Sequence, residues 1–196
     1  WYRSVLPEVF STVNYVEALG HEMTVSSIRN SLGFSSLAVA ANLVLGVAVA
    51  WVVVRSELRL RGVLDTLAMV PLAVPGLVMA FGYLALSSRL SHSGFVRAHP
   101  AWAAVVDVRV NPTFFLVAAY AVRRLPYMVR AAVAGLQQTS VTLEEAAANL
   151  GAPPLKMMRR VTAPLIAANL IAGVLLAFAF SMLEVSDSLI LAQKID

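Results

Sequence analysis

Long apolar stretches without a charged residue dominate the chain and are separated by short polar and basic connections. Residues 32–54, 66–86 and 161–183 each form an uninterrupted stretch of this kind. At about 1.5 Å of rise per helical residue, each of them exceeds the roughly 30 Å of hydrocarbon in a bilayer. The pattern therefore predicts three membrane-spanning helices.

Residues 113–136 form a fourth, less uniform apolar stretch. Arg123 and Arg124 interrupt it, and apolar residues then resume as far as Leu136. A charge inside the bilayer is costly. We therefore predict one helix here that leaves the membrane near its arginines.

Composition supports a membrane location for the whole chain. Of its 196 residues, 59% are hydrophobic and 13% are charged, and the mean hydropathy is +0.77. This is too apolar for a soluble domain of this length. Cysteine is absent, which excludes disulfides and thiolate metal sites, and the three histidines are too dispersed for a helical zinc pair.

Basic residues set the predicted orientation. Arg55, Arg59 and Arg61 follow the first stretch, and Lys156, Arg159 and Arg160 precede the last one. Both connections are predicted to lie inside because positive charge favours the cytoplasmic side, which also explains the net charge of +4 without nucleic acid. Residues 87–111 are then outside, and residues 1–31 form an outer loop or a short surface helix leading into the first span.

The connection at residues 137–160 departs from ordinary loop chemistry. Thr142 and Glu145 have the spacing of a capping box, which predicts a helix start. Gly151 is suited to a left-handed C-terminal cap, and two prolines follow it. We predict a helix of about two turns from Leu143 to Leu150, which is too short to be stable alone and is best explained as a docking element.

A family resemblance rests on this same connection. Glu145-Ala146-Ala147, three residues, Gly151, nine residues and then residues 161–164 resemble the signature loop of binding-protein-dependent ABC importer permeases, Glu-Ala-Ala-x3-Gly-x9-Ile-x-Leu-Pro. The departures are Val161 and Ala163 in place of isoleucine and leucine. Residues 123–127 and 135–138 are also similar to the ferric-iron type permeases of that superfamily.

The resemblance implies an all-α polytopic transmembrane helix bundle with at least four spans and a short cytoplasmic coupling helix that inserts into an ATP-binding subunit. The chain is then expected to be one permease domain over residues 1–196, a fragment that lacks at least one span, in the bacterial inner membrane. The residues implied in coupling-helix contact with the ATP-binding subunit are Glu144, Glu145, Ala146, Ala147, Leu150, Gly151 and Pro164.

Several partners follow from the resemblance. They are the ATP-binding subunit, an extracytoplasmic solute-binding protein, a second permease half that is either fused or a second copy, and the lipid membrane. The chain itself is expected to bind no cofactor and to be no enzyme, with ATP and Mg held by the partner, because no phosphate-binding loop occurs in its sequence. The cargo is a small solute, ferric iron first, and otherwise a phosphonate, thiamine or a polyamine.

Candidate pathway or rim residues are the polar and charged groups in or next to the spans. For the arginines the alternative is snorkelling at the interface, for the acidic residues a solvated helix end, and for the others hydrogen bonds between helices. Pro71 and Pro75 either kink the second span or break it where it lines a pathway. The candidates are Asn42, Tyr83, Tyr120, Arg123, Arg124, Glu184 and Asp187.

Two other functional classes stay open. A secondary transporter usually carries acidic groups at mid-membrane, and the three clear spans contain none. A structural membrane subunit gives no reason for a docking helix. An intramembrane enzyme is disfavoured because the spans contain no paired aspartates, Ser with His or Lys, or His-Glu-x-x-His pattern.

Overall fold

A computed structural model describes residues 12–192 of the chain. This part is helical and contains no strand, which confirms the predicted all-α class. The described chain divides into two compact units, with the boundary between Gly33 and Phe34. The described part of the first unit holds α1, Val13–Gly20, and the beginning of α2, Glu22–Arg55.

Helix α2 extends beyond the first predicted span. It begins at Glu22 rather than at residue 32, because no proline interrupts the chain between Glu22 and Arg55. Residues 22–31 are therefore part of this helix and not a loop. The start of the predicted outer segment, residues 1–11, lies outside the described residues.

The second span is broken into two helices. They are α3, Arg61–Ala73, and α4, Gly76–Ser91, and their axes differ by 105°. The break lies at Val74 and Pro75, where proline supplies no backbone N–H to continue the helix. Of the two predicted outcomes, a break is thus observed at Pro75, whereas Pro71 lies inside α3. The connection that follows contains α5, Gly94–Ala98, a 3₁₀ turn, Pro100–Trp102, and α6, Ala103–Val106.

From Thr113 onwards the described chain forms one long helix and several shorter ones. These are α7, Thr113–Gln138; α8, Val141–Asn149; α9, Pro154–Met157; a π-helical turn, Met158–Thr162; α10, Ala163–Leu165; α11, Ala167–Met182; and α12, Ser186–Leu191. The segment Pro154–Leu165 meets α11 at 80°, so the span predicted at residues 161–183 is also bent.

Only α2 among the described helices is long and apolar enough to cross a membrane by itself, and up to three spans result if each bent pair counts as one. Helix α7 has the length, with 26 residues, but carries Arg123, Arg124 and Arg130. Four spans were predicted, and the predicted span that does not meet this criterion of length and composition is α7.

Helix α7 lies at the centre of the second unit. Met128 on α7 is fully buried and packs between two glycines on neighbouring helices. A Cβ atom at Gly46 of α2 would lie 2.6 Å from Met128 Cγ, and one at Gly173 of α11 would lie 2.8 Å from Ala131 Cβ. These close approaches hold α2, α7 and α11 together, as small residues do between membrane helices.

Candidate coupling and pathway sites

The start of α8 is set by Ser140, whose hydroxyl accepts a hydrogen bond of 3.3 Å from the backbone N–H of Thr142. The predicted capping box of Thr142 and Glu145 is therefore wrong. Helix α8 begins at Val141, two residues earlier than predicted, because a serine is available as the N-cap just before it.

The end of α8 agrees with the prediction from Gly151. This glycine has a φ of 80°, and its N–H donates to the carbonyl of Ala148 over 2.9 Å. The N–H of Ala152 donates to the carbonyl of Ala147 over 3.0 Å. The two bonds form a Schellman motif, which fixes where the helix stops and explains the need for glycine.

The outer surface of α8 carries much exposed apolar side chain. Leu150, the C-cap residue of α8, is 90% exposed, Leu143 47% and Val141 44%. Glu145 and Ala146 are exposed as well, and Ala147 is half-buried. Such a surface is typical of a helix that docks against a partner, because covering exposed apolar side chains lowers the free energy of the complex.

Glu144 is the exception among the predicted contact residues. It is buried, with 5% of its surface exposed, so its side chain does not lie on the docking surface. Its carboxylate Oε2 accepts from Arg55 Nε at 3.0 Å, and Thr162 Oγ1 donates to Oε1 at 3.3 Å. The predicted contact of Glu144 with a partner stays a prediction, and in this structure the side chain points into the bundle, towards α2 and the π-helical turn.

Arg55 completes this arrangement, which we call the Arg55 clasp and define as Arg55, Glu144 and Thr162. Arg55 Nη2 also donates to the carbonyls of Leu136 at 2.9 Å and Thr139 at 3.0 Å. Those carbonyls lie at the C-terminal end of α7, where free acceptors and the helix dipole favour a cation.

The other predicted coupling residue, Pro164, lies elsewhere. It is in α10 and exposed, next to the bend at Ile166 that precedes α11. Proline at the start of a helix costs no hydrogen bond, so this position suits a helix start.

A second group of charges lies on α7 and beyond α11, and we call Arg123, Arg124 and Glu184 the arginine cluster. Glu184 Oε2 accepts from Arg123 Nε at 3.1 Å and also from Arg124 Nη2. Arg124 Nη2 further donates to the carbonyl of Phe180 at 2.9 Å, and its guanidinium lies 5.6 Å from the centre of the Phe180 ring.

The arginine cluster bears on two of the alternatives given for these residues, snorkelling arginines and a solvated acidic helix end. Arg123 lies about 15 Å from the first residue of α7 and Arg124 about 21 Å from the last, at 1.5 Å per residue, so neither is at an end of the helix. Both are bound to Glu184 rather than snorkelling. The side chain of Glu184 is 5% exposed and Asp187 is fully buried, so they do not form a solvated helix end.

Polar atoms near this cluster lack partners. Among the residues the structure describes, Arg123 Nη1, Arg124 Nε and both carboxylate oxygens of Asp187 are buried without a hydrogen bond. Asn42 is fully buried, and its amide likewise finds no partner in residues 12–192, contrary to the predicted bond between helices.

The two tyrosines are placed in the same region. Tyr120 of α7 is 6% exposed and belongs to a cluster of buried apolar residues. Tyr83 of α4 packs against this cluster. The rings of Tyr83 and Phe115 are 6.5 Å apart. Tyr83, Tyr120, Arg123, Arg124, Glu184 and Asp187 thus come together on α4, α7, α12 and the turn before α12.

Sequence reasoning missed Arg55 and Thr162 as site residues. Arg55 counted only as a topology marker, although a basic residue at the end of an apolar helix is also able to cap a neighbouring helix. Thr162 gave no signal. Within residues 12–192 no group of three or more His, Cys, Asp or Glu side chains is arranged to hold a metal ion.

The fold and these sites define a helical membrane protein with a short helix that exposes apolar side chains and with charged groups that are largely buried among the helices. The chain belongs to the family described as binding-protein-dependent transport system inner membrane component, whose model matches residues 42–193. Membership confirms the predicted class of inner-membrane permease.

The relatives of the chain include permease proteins of transport systems, which is consistent with this family. The chain is 31% identical over 186 residues to the sulfate transport system permease protein CysT of Salmonella typhimurium, covering 94% of this chain and 65% of that protein. It is 37% identical over 161 residues to the molybdenum transport system permease protein ModB of Escherichia coli, covering 79% and 66%. The spermidine/putrescine permease protein PotB of Escherichia coli is 29% identical over 189 residues, covering 94% and 67%. The chain thus spans less than two thirds of the sulfate permease.

Proposed function

We propose that this chain is the transmembrane permease of an ATP-driven importer, and that α8 is the coupling helix that docks in an ATP-binding subunit. The observation that carries the proposal is the exposed surface of α8, with Leu150 90% exposed, on a helix whose two ends are fixed by Ser140 and Gly151. Such a surface would be costly in water and is stabilised by a partner.

The proposed mechanism is alternating access. Two ATP-binding subunits that close on ATP bring two coupling helices together, and the attached helices carry the movement to the pathway. This requires a second permease half and places α8 in the cytoplasm, which agrees with the basic residues Lys156, Arg159 and Arg160 beside it. ATP and Mg then belong to the ATP-binding subunit, and a solute-binding protein delivers the cargo outside.

The arginine cluster is the proposed gate of the pathway. Arg123 lies beside the break in the second span: a Cβ atom at Gly76, the first residue of α4, would be 2.7 Å from Arg123 Nη1. The cluster therefore joins α7 to a broken helix on one side and to the turn between α11 and α12 on the other. Broken membrane helices are tolerated where they line a cavity or a pathway.

The proposed cargo is a small charged solute. Sulfate, molybdate and a polyamine are the solutes in the names of the relatives, so these come first. Ferric iron, suggested by the resemblance of residues 123–127 and 135–138, comes after them. The candidate cargoes are distinguished by measuring the uptake of labelled sulfate, molybdate, spermidine and ferric iron by cells that express the full-length system.

A secondary transporter without an ATP-binding subunit is the second candidate. The observation in its favour is Asp187, which is fully buried beside the arginine cluster although the predicted spans lacked acidic residues. Uptake that depends on the membrane potential or proton gradient but not on ATP would select this alternative.

The test of the proposed function is association with the ATP-binding subunit. We expect Gly151→Asp, Glu145→Lys and Leu150→Asp to reduce co-purification of the two subunits while each permease still inserts. Glu57→Lys is the matched control, because Glu57 is also exposed but lies in the connection between α2 and α3. If all three variants retain wild-type association, α8 is not the docking helix.

A further inference from the structure

Glu144 is held by residues from distant parts of the chain. Arg55, which is 89 residues away in sequence, binds one carboxylate oxygen, and Thr162 binds the other. Both oxygens are therefore occupied, and α8 is connected to the end of α2 and to the π-helical turn before α10. Helix α8 does not depend on its short connecting loops alone for its position.

Arg55 adds the end of α7 to the same arrangement. Its Nη2 donates to the carbonyls of Leu136 and Thr139, while its Nε binds Glu144. One guanidinium group thus caps α7 and holds α8. The planar fork of arginine makes this geometry possible, because its N–H groups point in fixed directions that a lysine does not reproduce.

The Arg55 clasp is also little exposed and fully hydrogen-bonded. The side chains of Arg55 and Glu144 are 9% and 6% exposed. Within the described chain, no buried nitrogen or oxygen of the clasp is left without a hydrogen-bond partner. A buried charge pair that has all its hydrogen bonds resists displacement, because moving either group leaves the other charge uncompensated.

We propose that Arg55 and Glu144 are positioning residues that make α8 move as one body with the ends of α2 and α7 and with the start of the last span. This rests on the proposed function, in which α8 docks in an ATP-binding subunit. Docking and transmission then belong to different faces of α8: the exposed face binds the partner, and Glu144 passes the movement to the membrane helices.

Because docking and transmission are assigned to different faces of α8, the two are measured separately. The full-length permease is reconstituted with its ATP-binding subunit, and the variant Leu189→Cys serves as the background because residues 1–196 contain no cysteine and Leu189 is 59% exposed on α12. The measurements are co-purification of the subunits, ATP hydrolysis, and the ATP-dependent change in the rate of maleimide labelling at position 189.

The main variant is the double substitution Arg55→Leu with Glu144→Leu. It removes the link without leaving a buried charge, so the protein is expected to fold and insert. We expect association and ATP hydrolysis to stay at the wild-type level, while the ATP-dependent change in labelling falls by about tenfold, the loss that corresponds to one charge-assisted hydrogen bond.

Two further variants separate positioning from folding. Glu144→Gln keeps the shape and an acceptor for Arg55, so it should retain most of the labelling response. The exchanged pair, Arg55→Glu with Glu144→Arg, should not restore the response, because a glutamate at position 55 cannot donate to the carbonyls of Leu136 and Thr139. If the double leucine variant fails to insert, the ranking of Glu144→Gln above the exchanged pair supplies the test.

A wild-type labelling response in the double leucine variant would overturn the proposal, as would equal responses of Glu144→Gln and the exchanged pair. Loss of association in the double leucine variant would also overturn it, because the clasp would then shape only the docking surface. Failure of the proposed function looks different: Leu150→Asp would leave association intact.

Discussion

The Arg55 clasp, with one ion pair, and the arginine cluster, with two, both join α7 to other helices, yet they differ in how fully their polar atoms are bonded. In the clasp, Glu144 uses both carboxylate oxygens and Arg55 binds two further carbonyls. In the arginine cluster, Glu184 also uses both oxygens, since Oε1 accepts from the backbone N–H of Ser186 at 3.2 Å. Two guanidinium groups share Oε2, however, and buried nitrogens of both arginines have no partner among the described residues.

This difference indicates which of the two regions keeps its geometry and which one rearranges. A fully bonded polar network is rigid, because every change of geometry costs a hydrogen bond. A network with unpaired buried donors stores an unfavourable free energy that another arrangement is able to release. We therefore expect the clasp to keep its geometry and the arginine cluster to change during transport.

The largest effect is expected when the clasp loses one partner. Arg55→Met leaves the Glu144 carboxylate buried and unpaired, which should lower the free energy of unfolding by about 3–5 kcal/mol. Thermal unfolding of the purified permease in detergent measures this. The control is Arg55→Met combined with Glu144→Met, which should recover most of the stability, and a single variant as stable as the wild type would contradict the prediction.

A smaller loss is expected in the arginine cluster. Glu184→Gln removes the shared carboxylate but leaves Asp187 near both arginines and an amide oxygen as acceptor. We expect a loss of about 2 kcal/mol in the same unfolding measurement. A loss as large as that of Arg55→Met would remove the distinction between the two regions.

Overpacking beside Met128 is expected to disturb both regions moderately, because this residue lies on α7 between them. In Gly173→Ala the new Cβ would lie 2.8 Å from Ala131 Cβ and 3.0 Å from Met128 Sδ. The expected cost is about 1–2 kcal/mol in thermal unfolding. The matched control is Gly82→Ala, where a new Cβ meets no atom within 4 Å.

A more local effect is expected at the end of α8. Gly151→Ala places a Cβ atom at a φ of 80° and should cost about 1 kcal/mol. Because the change is local, association with the ATP-binding subunit should fall while the rest of the bundle unfolds as before. Gly62→Ala, at an open position in α3, is the control and should leave association at the wild-type level.

The smallest effect is expected for an exposed ion pair. Arg130 Nη2 lies 3.1 Å from Asp65 Oδ2, but the Arg130 side chain is 51% exposed. Asp65→Asn should change the free energy of unfolding by less than about 1 kcal/mol, because solvent screens such pairs. A loss comparable with that of Glu184→Gln would show that burial does not decide the strength of these pairs.

The helices could be predicted from the sequence because membrane length and charge distribution constrain apolar stretches strongly. The Schellman end of α8 was also predictable, since Gly151 and the following prolines are local signals. The bends at Pro75 and Ile166 were not, because a proline in a membrane helix is compatible with either a kink or a break.

The ion pairs could not be predicted because their partners are remote. Glu184 is 60 residues from Arg124, and Glu144 is 89 residues from Arg55, so local pattern carries no information about either contact. The burial of Glu144 also depends on how α8 is rotated against α2. A helix of nine residues with weak apolar asymmetry does not fix that rotation.

The most direct test of these ideas is a pair of distances measured by electron paramagnetic resonance in the reconstituted transporter. One pair of spin labels, at Glu57 and Asn149, spans the Arg55 clasp, and the other, at Val122 and Leu189, spans the arginine cluster; all four positions are exposed. We expect the first distance to be the same without nucleotide and with ATP bound, and the second to change. A changing first distance together with a constant second one would contradict the assignment of rigid clasp and moving gate.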